Sequence, residues 1–190
     1  MRRVYNKTAL VISAPACIGF ALMVLILPIR WIVAAVVAAA VHELFHATAV
    51  ILCGGRLFGF HIGMKGATMT AEPMSPGREL FCTLAGPFGS FLLLLFIRWI
   101  PRIAFCGAVH GVYNFLPLYP MDGGKALRCL LEILIPQKAD WFFEKIQCCC
   151  IAVIWILAIY MSVFRHLGLL PLVFAFTLWQ SAKKALQTNL

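Results

Sequence analysis

Charge is scarce in this sequence. Only 12% of its 190 residues are Asp, Glu, Lys or Arg, where a soluble globular domain carries roughly 25%. Acidic residues are rarer still, seven against sixteen basic ones. Nowhere do five Lys or Arg run together, so the formal net charge of +9 lacks the clustered form that grips nucleic acid, and no nucleic-acid partner is expected. The eight cysteines contain no Cys-x-x-Cys pair, which argues against a thiolate metal site. Cys148, Cys149 and Cys150 are consecutive, so on a helix their side chains fan apart rather than converge. They read as small apolar helix residues, with acylation near a membrane boundary as the other use. No repeat and no low-complexity tract is present. The longest non-apolar stretches, 54–79 and 119–146, are too short for a soluble module, so residues 1–190 read as a single membrane domain.

What the chain has in excess is apolar surface. Hydrophobic residues make up 63% of it, and the mean hydropathy is +0.93. One soluble core of this size cannot hide that excess, so lipid is the expected solvent for most of the chain. Apolar stretches fall at about 9–28, 31–53, 80–97, 103–118, 147–164 and 167–180. The first three are long enough to span at roughly 20 residues per crossing. The fourth and sixth are short and carry Pro117, Pro120 or Pro171 at or near an end or within them, the marks of a broken and of a tilted helix. The expectation is an all-α membrane protein with about six transmembrane helices.

Six crossings with the N-terminus inside put twelve Lys and Arg residues on the inner side, from Arg2 and Arg3 through Lys125 and Arg128 to Lys183 and Lys184. Only Arg30, Arg98, Arg102 and Arg165 fall outside. By the positive-inside rule both termini are then cytoplasmic. The first apolar run is long and lacks a small-x-small cleavage site at its far end, so it reads as a retained helix rather than a secretory signal.

The second apolar stretch contains Val41-His42-Glu43-Leu44-Phe45-His46. A charge at mid-bilayer costs roughly 2.5–3.5 kcal/mol on insertion scales, so ionisable residues there are functional by default. His42 and His46 lie one turn apart on one helical face and can share a metal through imidazole nitrogens. Glu43, on the adjoining flank, can reach a water held by that metal. This is the HExxH arrangement of two ligands and a general base. The same three side chains could instead serve as a proton or ion relay.

A zinc site of this kind takes a third protein ligand and leaves the fourth position for water. The best-placed donor is Asp122, in Asn114-Phe115-Leu116-Pro117-Leu118-Tyr119-Pro120-Met121-Asp122-Gly123-Gly124. Two prolines end the fourth helix early, and paired glycines let the backbone turn sharply after the carboxylate. From His46 to Gly54 is about 12 Å of helix at 1.5 Å per residue. In the assigned topology the histidines and Asp122 therefore approach one level on the cytoplasmic side.

These residues resemble the site-2 proteases, the zinc-dependent intramembrane metalloproteases. The likeness rests on HELFH in the second helix, Gly86-Pro87 in the third, and Asn114-x-x-Pro117-x-x-Pro120-x-Asp122-Gly123-Gly124. Order and spacing look closest to the small bacterial branch with the sporulation protease that acts on a pro-sigma factor. The likeness covers about residues 30–135. It implies one Zn2+ per chain held by His42, His46 and Asp122, with Glu43 as general base. Asn114 would position the transition state or the substrate. Leu57–Pro73 would be a short re-entrant β-like loop between the second and third helices, with an edge that an unwound substrate strand could join. Family members often carry asparagine where this chain has Ser90, which weakens any polar role carried over to that position. No segment corresponds to a PDZ domain or to the nucleotide-sensing CBS domain of the sporulation branch.

The expected activity is hydrolysis of a peptide bond within or near a transmembrane segment of a membrane-protein substrate. Location in a bacterial cytoplasmic membrane, and a regulatory membrane partner, follow from the same resemblance. Two other uses fit parts of the sequence. A non-catalytic metal-binding scaffold capturing client helices has no need of Glu43. A metal or proton transporter needs further charges along the remaining helices, which offer almost none. His110 reads equally as an interhelical hydrogen-bonding residue and as a neighbour of the site, and His61 and His166 as loop or interfacial residues. Lys125–Lys145 is expected to be a solvated cytoplasmic connection.

Overall fold

Small residues face inward and large ones outward in the first half of this protein, the reverse of a soluble core. The computed structural model describes residues 9–12, 24, 26–63, 66–72, 74–166 and 168–188. The chain forms two compact units, Met1–Tyr113 and Asn114–Leu190.

In the first unit, helix α1 (Ile29–Leu52) follows Pro28, whose backbone is extended. Its end is set by Gly54, at φ 75°. There the Gly54 N–H donates to the Ile51 carbonyl and the Gly55 N–H to the Val50 carbonyl, both at 2.9 Å, so the last turn's acceptors are satisfied without side chains. A three-stranded sheet lies outside the helices, in the order β1 (Ala9–Ile12), β2 (Leu57–Gly63), β3 (Gly66–Ala71). Strand β1 runs parallel to β2 with Ala9 opposite Gly59, and β3 runs antiparallel with Thr68 opposite His61. The ladder is irregular between Leu57 and Gly59.

Helix α2 (Pro76–Leu92) opens with proline in its first turn, where the missing N–H costs nothing. It continues as a 3-10 turn over Leu93–Phe96. Helix α3 (Pro101–Asn114) completes the unit. Ala34, Ala38, Gly86, Gly89, Ser90, Ala104, Gly107 and Gly111 are all buried. Leu52, Phe81, Phe88, Leu95 and Trp99 are exposed. Lipid tails are as apolar as leucine, so helices in a bilayer gain most by close backbone approach, which small residues permit.

In the second unit, α4 (Asp122–Leu134), α5 (Ala139–Val163) and α6 (Leu170–Thr188) follow one another, with a 3-10 turn over Pro136–Lys138 before α5. Among the described residues, three helical segments are long and apolar enough to cross a membrane: Ile29–Leu52, Pro76–Phe96 and Pro136–Val163.

The expected β-like loop is present as the β2–β3 hairpin. Two expectations need correction. The apolar stretch 9–28 does not begin as a helix: Ala9–Ile12 is a strand, and 13–23 lie outside the described residues. Apolar runs do not distinguish a short β-branched strand from the start of a span, and β2 offers this one a parallel partner. The stretch expected as a connection, Lys125–Lys145, is mostly helical. It holds α4 and the first turns of α5, and α5 starts at Ala139 rather than near 147. Apolar counting passes over α4 because its charges share one side. Arg128 pairs there with Glu132 at 3.1 Å, the i, i+4 spacing that lets oppositely charged side chains meet on a helix, and across to Asp140 of α5 at 3.4 Å.

Candidate metal centre

His42 and His46 meet as their spacing on α1 requires. Their Nε2 atoms stand 3.2 Å apart, with ring centroids at 4.8 Å and planes at 80°. His42 is 1% exposed and His46 half-buried. Glu43, between them in sequence, is half-buried.

Each ring is held from behind by α2. The His46 Nδ1 lies 2.7 Å from the carbonyl oxygen of Cys82. A carbonyl only accepts, so Nδ1 carries the proton, and in the neutral ring Nε2 presents a lone pair. The His42 Nδ1 lies 2.8 Å from Ser90 Oγ. A hydroxyl both donates and accepts, so two hydrogen arrangements fit the facing Nε2 atoms. In one, Ser90 donates to His42 and a single proton lies between the two rings. In the other, His42 donates to Ser90 and both Nε2 lone pairs converge on a cation. Metal-ligating histidines characteristically donate their second N–H to a carbonyl, carboxylate or other acceptor, which fixes the tautomer and raises ligand basicity. The pair therefore fits a divalent metal.

Gly86 and Gly89 bring α2 this close to α1. A methyl group at Gly86 would overlap the His46 imidazole, and one at Gly89 would overlap the Phe45 ring. Pro87, inside α2, removes one N–H from the helix ladder and crowds the Thr83 carbonyl four residues before it, next to Cys82. Ser90 is 0% exposed. The weakened polar role expected for it on sequence grounds is corrected here, because the shorter hydroxyl reaches His42 unaided.

In the second unit, Asp122 is the first residue of α4 and 7% exposed. Its Oδ1 accepts from Lys125 Nζ at 3.1 Å. The paired glycines do more than permit a turn. A methyl group at Gly123 would overlap the Phe115 and Leu116 carbonyls, and one at Gly124 would overlap the backbone of Leu118 and Tyr119. The start of α4 thus lies directly on the segment that follows Asn114. Asn114 itself ends α3 and is half-buried. His166 is exposed in the turn after α5 at φ 52°, and His61 is a β2 residue.

Three contributors escaped the sequence: the Cys82 carbonyl, the Ser90 hydroxyl as hydrogen-bond partner of His42, and Lys125 as counter-charge to Asp122. A backbone carbonyl has no signature in sequence. The Gly-Pro pair was the only available pointer to the first two, and Lys125, three residues after Asp122, was legible as an i, i+3 pair.

The family model described as Peptidase M50B-like matches residues 15–116. The match takes in His42, Glu43, His46, Ser90 and Asn114 and ends before Asp122. No curated protein matches the sequence. Among solved structures, the fold is similar to that of the site-2 protease from Methanocaldococcus jannaschii. The two have a TM-score of 0.63 and 17% sequence identity over 97% of this chain and 94% of that one.

Proposed function

Because the chain belongs to the Peptidase M50B-like family, whose members are metallopeptidases, we propose that it is a zinc-dependent intramembrane endopeptidase cutting membrane-protein substrates. The observation that carries the proposal is the pair of imidazoles on an apolar, membrane-length helix, with Nε2 facing Nε2 and each Nδ1 held by α2. Asp122 would supply the third ligand. Two imidazole nitrogens and one carboxylate oxygen are a donor set able to hold such an ion, and three protein ligands are the usual number at a catalytic zinc. A bound divalent ion supplies Lewis-acid polarisation of a carbonyl and acidifies water.

The chain's own residues do the rest. Glu43 takes a proton from the attacking water at its carboxylate and returns it to the leaving amine. Lys125 holds Oδ1 of Asp122, so the carboxylate is oriented and its buried charge is balanced. Asn114 positions the substrate carbonyl or the oxyanion that forms from it. Strand β3 lies at the sheet's edge, where an unwound substrate segment can add as a further strand and expose its carbonyls. The proposed setting is a bacterial cytoplasmic membrane with both termini cytoplasmic and water reaching the site from that side. A regulatory membrane partner belongs to the same proposal.

Elemental analysis of purified protein tests the centre. Close to one zinc per chain is expected for the native sequence, falling sharply in Asp122→Ala. Negligible zinc in native protein that takes up none on addition would overturn the proposal. Ser90→Ala adds a second expectation. It leaves the His42 Nδ1–H without its acceptor, and removing such a partner typically lowers metal affinity about 10–100-fold. Chelator competition reads this directly, and an unchanged affinity would show that Ser90 does not set the His42 ring.

A further inference from the structure

Helix α3 also reaches the histidine pair, through the ring of His110, and that ring has no part in the chemistry proposed above. Gly107 and Gly111, one turn apart, seat α3 on Ser90. An added Cβ at Gly107 would lie 3.0 Å from the Ser90 carbonyl oxygen, and one at Gly111 would lie 3.0 Å from the Ser90 Cβ. With the backbone that near, His110 reaches the His42 ring edge-to-face, with centroids 4.6 Å apart and planes at 86°.

The contact matters because of what the Ser90 bond leaves unfixed. A histidine ring turns about a broad, roughly two-fold χ2 well. One hydrogen bond at Nδ1 is a soft hold on that rotation, and a ring packed against the imidazole narrows it. His110 meets the ring as a wall, at the separation and angle that aromatic pairs prefer. The Ser90 hydroxyl and the His110 ring together narrow the direction in which the Nε2 lone pair of His42 points.

We propose that His110 is a positioning residue of the metal centre. By ring packing it fixes the rotation of His42, and with it the affinity and coordination geometry of the ion. This rests on the metal-centre proposal above. The role belongs to the ring as a flat aromatic body, so phenylalanine should serve in its place and glutamine should not.

The test uses the full-length chain in detergent micelles, with zinc affinity measured by chelator competition and the visible spectrum recorded after cobalt loading. His110→Ala is expected to weaken zinc binding about tenfold or more, within the range for losing an outer partner of a ligand, and to change the cobalt spectrum. His110→Phe should restore both. Native affinity and spectrum in His110→Ala would overturn the proposal, as would rescue by His110→Gln but not by His110→Phe, which would assign the role to a ring nitrogen. Should His110→Ala fail to fold, the Phe and Gln variants still decide between the two. A native chain that binds no more metal than His42→Ala would overturn the metal-centre proposal itself, and this one with it. That outcome is distinct from any difference among His110 variants.

Discussion

Glu43→Gln is expected to abolish peptide-bond cleavage while leaving zinc content at the native level. The amide has the shape of the carboxylate and keeps the packing of a half-buried position on α1. It cannot take up a proton from water. General-base catalysis by one positioned carboxylate contributes about 10²–10⁴-fold to rate, so residual turnover should fall at least that far. Glu43 acts in the transition state rather than in substrate capture, so kcat should fall with KM little changed. The measurement is cleavage of a reconstituted single-span substrate, followed beside elemental analysis of the same preparation. Cleavage at the native rate would remove Glu43 from the mechanism. Loss of zinc together with cleavage would make it a structural residue of the centre. Capture of a client helix at native affinity, with no cleavage by the native protein either, would favour the scaffold function over the protease.

The part of this site that lies within one helical turn was legible in the sequence. His42 and His46 are four residues apart, so the 3.6-residue period alone puts them on one face, and they meet at 3.2 Å. The β2–β3 hairpin was expected from its glycines and threonines under the family resemblance. What could not be read was tertiary. Ser90 and Cys82 are 48 and 36 residues from the histidines they hold, and only the close approach of α2 through Gly86 and Gly89 brings them there. Helix α4 was missed for a different reason. Its charges pair with one another along one side, Lys125 with Asp122 and Arg128 with Glu132. A scan for apolar runs sees such charges as a break, while a helical-period scan sees one face. Strand β1 was missed because Ala9–Ile12 is apolar and short, and its partner lies about fifty residues on.

The glycine that seats His46 carries the largest structural expectation. Gly86→Ala should reduce zinc affinity by roughly 100-fold or more, beyond the range for losing an outer partner, because a ligand itself is displaced. The added methyl would overlap Nε2, Cε1 and Cδ2 of the His46 ring. Relief requires either the ring to turn out of line with His42 or α2 to move away. The second route gives up packing, since Phe45 lies on Gly89 one turn along in the same way and Pro87 and Ser90, fully buried, would be exposed by it. Overpacking of this kind typically costs about 1–3 kcal/mol, and rotating one side chain is the cheaper response. Two controls separate displacement of the ligand from general damage to the helix pair. Gly77→Ala places its methyl where no described residue lies within 4 Å and should be silent. Gly89→Ala strains the α1–α2 contact against Phe45, so it should lower thermal stability yet retain most of the metal affinity. Chelator competition and thermal melting on the three variants give the answer. Equal loss of metal from Gly86→Ala and Gly89→Ala would mean that the whole α1–α2 contact, rather than the seat beneath one imidazole, sets the geometry of the centre.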